Sequence, residues 1–137
     1  MLTVKKEILQ KSIAYLEEEQ GAKEWLVHMK QEQMVYMIDA VIEGDNKAME
    51  FLLVNKHIVL AAFVNAVWED AKALRMLMDK KEPIWAAMAN IVNGDKGAVA
   101  FLQKHKLPTY VKLAQAIQKK IQRNNDKKSS IFSSGPF

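Results

Sequence analysis

Asn65–Ala89 reads NAVWEDAKALRMLMDKKEPIWAAMA, and Asn90–Ala114 reads NIVNGDKGAVAFLQKHKLPTYVKLA. The two stretches align without a gap. Asp39–Val64, DAVIEGDNKAMEFLLVNKHIVLAAFV, fits the same frame with one extra residue near Gly44. Five columns coincide in all three copies: Asp45/Asp70/Asp95, Ala48/Ala73/Ala98, Phe51/Met76/Phe101, Leu52/Leu77/Leu102 and Lys56/Lys81/Lys106. A fainter copy precedes them, with Ala22, Trp25 and Leu26 matching Ala48, Phe51 and Leu52. A fixed period of this length is the signature of stacked supersecondary units.

Each column has a physical reading. The aspartate precedes a stretch whose apolar residues recur at three and four, which predicts a helix capped by that carboxylate. We name these helices B and expect them at Asp45–Asn55, Asp70–Asp79 and Asp95–His105. The lysine column follows each helix C-terminus, where a cation is favoured. Pro83 and Pro108 then fall in the first turn of the next helix, where the missing N–H costs nothing. These helices A, expected at Gln33–Glu43, Ile58–Trp68, Ile84–Asn93 and Leu107–Arg123, are almost wholly apolar. Their columns Met37/Phe63/Met88/Leu113 and Val41/Val67/Val92/Ile117 are assigned to the core. A pair this small cannot bury its own apolar face, so units must stack.

The expected fold is therefore all-α, a small α-solenoid of about nine helices in stacked pairs. Leu2–Glu19 is expected to form an N-terminal capping helix. The domain spans 1–124, with units at approximately 14–38, 39–64, 65–89 and 90–114 and a C-terminal cap at 115–124. A flexible, basic and Ser-rich tail follows at 125–137.

The helix pair around AMANIVNGDKGAVAFLQKHKLPTYVKLAQAI resembles an ankyrin-type repeat. Ala89, Gly94, Asp95, Ala98 and Phe101-Leu102 fall where that family places its helix–turn–helix residues. Pro108 followed by Leu113-Ala114 is similar to its Thr-Pro helix entry. The resemblance covers roughly residues 22–118 and implies a helical scaffold that binds other proteins. The period here is 25–26 residues against about 33 in ankyrin repeats. The shortfall matches the missing β-hairpin, and the full Thr-Pro-Leu-His signature is absent.

Composition narrows the function classes. With no cysteine, disulfides and thiolate metal sites are excluded, and a cytoplasmic setting is expected. No run of about 18 apolar residues occurs, so no membrane contact is expected. Residues 1–96 hold 12 Lys/Arg and 15 Asp/Glu, whereas residues 97–137 hold 8 and 1. The body is weakly acidic and the C-terminal end basic. His28, His57 and His105 fall in different columns, so no histidine site is replicated. No paired acid and base, no Ser/His/Asp order and no glycine-rich phosphate loop is present. The chain is expected not to be an enzyme and to need no cofactor and no metal.

Two surfaces remain. Asp39, Asn65, Asn90 and Gln115 form a polar column in the apolar helix A, flanked by Tyr36, Trp68 and Asn93. In a solenoid such a face lines the concave side. It would bind a protein or peptide segment, with Tyr36 and Trp68 as anchors; the alternative is an internal ladder of amide hydrogen bonds between units. The second surface is Lys112, Lys119, Lys120, Arg123, Lys127 and Lys128. Such a cluster attracts nucleic acid in a salt-dependent way, or is simply a solvated helix end. Ile131, Phe132 and Phe137 are apolar points in the tail that could dock elsewhere. Self-association as part of a larger assembly is a third functional reading.

Overall fold

The computed structural model describes residues 1–133, with side-chain surroundings through residue 126. Among these residues the chain forms nine helices and no strand. They are α1 (Lys6–Leu16), α2 (Ala22–His28), α3 (Glu32–Glu43), α4 (Asn46–Val54), α5 (Ile58–Val67), α6 (Ala71–Asp79), α7 (Pro83–Val92), α8 (Lys96–Lys104) and α9 (Pro108–Ser133). The odd-numbered helices are the A type and the even-numbered the B type. Each A helix packs closely against the B helix that follows it.

The aspartate column does what its position predicts, three times over. Asp45 Oδ1 accepts from the N–H groups of Lys47 and Ala48, Asp70 Oδ1 from Lys72 and Ala73, and Asp95 Oδ1 from Gly97 and Ala98. Two of the four orphan donors at each helix start are thereby satisfied. Leu52, Leu77 and Leu102 are each fully buried, at 0% exposure, as is Leu26 in the fainter copy.

The lysine column has a sharper role than dipole compensation. Lys30, Lys56, Lys81 and Lys106 all adopt left-handed backbone, with φ of 58°, 63°, 57° and 58°. Each follows a B helix and reverses the chain. The N–H of Lys56 donates to Leu53 O and that of His57 to Leu52 O, and the same pair of bonds recurs after α2, α6 and α8. This is the two-bond closure of a helix C-terminus, a position that glycine usually fills. The extra residue near Gly44 is absorbed by α3. That helix runs on to Glu43 and ends on a single bond from Gly44 N–H to Ala40 O.

The A helices supply the centre. Met37, Phe63, Met88 and Leu113 are all fully buried. Above them Met34, Leu60, Trp85 and Tyr110 form another buried set, with Trp85 edge-on to both Phe63 and Tyr110 at 5.4 and 6.2 Å between ring centres. The stack turns back on itself: α9 packs along α7 and α1 and also reaches α3. The segment expected as an N-terminal cap therefore touches both ends of the stack. Short turns and parallel A helices give the molecule two distinct ends, one carrying the A C-termini and the other the A N-termini.

Beyond residue 124 the structure differs from the expected flexible tail, because α9 continues unbroken to Ser133. The side chains of Lys127, Lys128, Ile131 and Phe132, and all of Phe137, lie outside the described residues.

Candidate functional site

Asp39 and Gln115 of the polar helix-A column border different clefts. Tyr36 is half-buried and stacks on Phe51 at 3.9 Å between ring centres. Asp39 is half-buried, and its Oδ1 accepts a 2.7 Å hydrogen bond from the Tyr15 hydroxyl on α1. Asp39 and Tyr15 border a cleft of about 360 Å³ where α1, α2 and α3 meet. Burial first, then the bond to Asp39 and the nearby charges of Asp39 and Glu43, raise the Tyr15 phenol well above its ordinary value. Asn65 and Gln115 are exposed and Asn90 is half-buried. Gln115 stands apart, in a cleft between α1 and α9 beside Glu17, Lys112 and Lys119.

A ladder between units does exist, but one turn further along. Trp68 Nε1 donates to Val41 O at 3.2 Å, and Asn93 Nδ2 donates to Ala66 O at 3.4 Å. Each links the C-terminus of one A helix to that of the A helix before it, 27 residues back. Helix C-termini carry carbonyls with spare accepting capacity; Val41 O is one, and Ala66 O, which already accepts from Glu69 N–H, takes a second bond from Asn93. Trp68 and Asn93 also share a cleft of about 290 Å³ with Val67, Glu69, Val92 and Ile121. Despite its anchored N–H, Trp68 is 54% exposed. Of the expected partner-binding residues, these two are the pair the fold brings together.

The basic end is partly neutralised. Lys120 Nζ lies 3.5 Å from Glu18 Oε1. Lys112, Lys119 and Arg123 are exposed along one side of α9. Among the described residues no cluster of three or more His, Asp or Glu could hold a metal, and no helix is long and apolar enough to cross a membrane.

One arrangement had no signal in the sequence. Residues 1–5 lie across the N-terminal ends of α7 and α9. Leu2 N–H donates to both oxygens of the Glu82 carboxylate, at 3.1 and 2.8 Å, and Trp85 Nε1 donates to Leu2 O at 3.1 Å. The Tyr110 hydroxyl accepts from Val4 N–H and donates to Val4 O. Glu82 is 94% buried in consequence, a carboxylate held by an arm 80 residues away. A lone Glu before Pro83 gives no hint of such a partner.

No protein-family model matches the chain, and no match was found among curated proteins or among solved structures. The ankyrin-type resemblance accordingly rests on the residues quoted for it.

Proposed function

We propose that the chain is a non-enzymatic scaffold that binds another protein or a peptide segment in a cytoplasmic setting, with the Trp68–Asn93 cleft as its contact. The observation that carries the reading is Trp68 itself. A large aromatic more than half exposed, with its ring edge fixed by the bond to Val41 O, is a rigid anchor of the kind interfaces favour. Asn93 and the apolar edge of Val92 and Ile121 frame it, which supplies polar and apolar contact side by side. The repeated helix pair supports the reading too, since stacked pairs present many surface positions on a rigid frame.

Affinity capture from the native host tests this, using the wild-type chain beside Trp68→Ala and Asn93→Ala. Circular dichroism on each variant shows whether the fold is kept. The expected result is a protein retained by the wild type and lost by a folded Trp68→Ala chain. Equal retention by all three removes this cleft as the contact.

A nucleic-acid reading draws on a different observation, the exposed Lys112, Lys119 and Arg123 on one side of α9. It predicts binding that weakens steeply as salt rises. A mobility-shift assay that shows no complex at low salt disposes of it.

A further inference from the structure

We propose that the end of the molecule opposite the Trp68 cleft is a second docking face, shaped for an acidic segment of a partner protein that seats one apolar side chain between α3 and α5. The starting point is the set of left-handed residues that end the helices. After the B helices they are Lys30, Lys56, Lys81 and Lys106; after the A helices they are Glu18, Gly44, Glu69 and Gly94. Both kinds of helix end present the same negative dipole end, and a cation compensates either one equally. Helix termination by itself therefore predicts lysine at both ends of the molecule or at neither. The lysines occupy one end only, and acids or glycine the other.

All four lysines are exposed, as are Lys80 and Lys104 beside them. None of the six is ion-paired with a described residue. The acids at this end are few. Glu7, Glu32 and Asp79 are spaced around it, and Glu82 is buried and occupied by Leu2 N–H. A face with this imbalance draws acidic partners and repels basic ones.

The face also has a depression. A cavity of about 140 Å³ opens there, with Leu2, Val4, Met34, Ile58 and Leu60 as its apolar walls and Lys56 at its edge. Small-molecule sites run to roughly 300–1,000 Å³, so this one takes a single side chain. Met29 and Val54, at the C-terminal ends of α2 and α4, add exposed apolar area to the same end of the molecule, at 48% and 70% exposure. A cavity with Lys56 in its lining, on a face that carries five more exposed lysines, selects an apolar anchor flanked by carboxylates. A flat bilayer surface cannot fill it. A single-stranded nucleic acid would want open aromatic faces to stack on, whereas Met29 and Val54 are aliphatic, and Phe101 and His57 are already packed against His105 and Phe51.

Panning a random peptide library against the full chain tests the proposal. Recovered peptides are then titrated by fluorescence anisotropy against the wild type, Lys30→Glu/Lys56→Glu and Lys47→Glu/Lys72→Glu. The two double variants change net charge equally, at opposite ends of the molecule. Glutamate already occupies the left-handed position at Glu18 and Glu69, so the first variant keeps its turn geometry. The expected peptides carry several Asp or Glu around a Leu, Met or Phe. They bind Lys30→Glu/Lys56→Glu about ten-fold more weakly or worse and Lys47→Glu/Lys72→Glu as the wild type. Ile58→Asp, at the cavity wall, weakens them as well. Peptides without acidic enrichment, or equal effects of the two double variants, overturn the proposal. So does binding to phosphatidylserine vesicles or single-stranded DNA that needs Lys30 and Lys56 when no acidic peptide does.

Discussion

Asp45, Asp70 and Asp95 each spend one carboxylate oxygen on the N–H groups two and three residues ahead. Removing one such cap costs about 1 kcal/mol, so Asp70→Ala is expected to lower the stability seen in urea unfolding by that amount. Glu69 next to it stands left-handed at φ 67°, where its counterparts are Gly44 and Gly94. A side chain in that conformation costs about 1–2 kcal/mol, and glycine adds about 0.5–1 kcal/mol of chain entropy. The difference favours glycine, so Glu69→Gly should raise the unfolding midpoint. Tyr15 gives a pH signature. Its phenol ionises less readily in the fold than in the unfolded chain. The stability it contributes is complete below about pH 10, the unfolded value, and declines as pH rises through the higher folded value. Alkaline unfolding curves of wild type and Tyr15→Phe should therefore converge as pH climbs above that point. A separation that stays constant with pH would contradict the raised phenol.

At the scale of elements, nearly everything was legible. Apart from the C-terminal end of α9, the A and B helices begin and end within one or two residues of where capping aspartates, prolines and apolar spacing place them. These signals are local, each acting within a turn or two of its own position. The lysine column was legible as a helix end but not as a left-handed turn, because Lys is an unusual choice there and composition alone does not reveal φ. The length of α9 was misjudged: Ser, Lys and Asn after Gln122 suggest a tail, yet none of them breaks a helix already under way.

The whole molecule holds what the sequence hid. That α1 meets α9, and that Leu2 and Val4 reach Glu82 and Tyr110, depends on how far each unit rotates relative to the last. A column alignment carries no information about that rotation. Asp39 and Gln115, members of one sequence column, border different clefts. Trp68 and Asn93 share one cleft, and each reaches back to the preceding A helix. The arm itself is testable. Glu82→Ala leaves the partly buried Leu2 N–H without its protein acceptor, at a cost of about 1 kcal/mol. Amide exchange at Leu2 and Val4 should accelerate with it; unchanged protection would mean the arm is held by other contacts.

Stacked units in one register are the premise beneath all of this, and the three buried leucines probe it most directly. Equilibrium urea unfolding of Leu52→Ala, Leu77→Ala and Leu102→Ala should give a single cooperative transition for each. Every one should lose about 2–5 kcal/mol, as fully buried leucines do. A loss near zero at any of the three would show that the position is not sheltered by its neighbours, and that the units do not share a common frame.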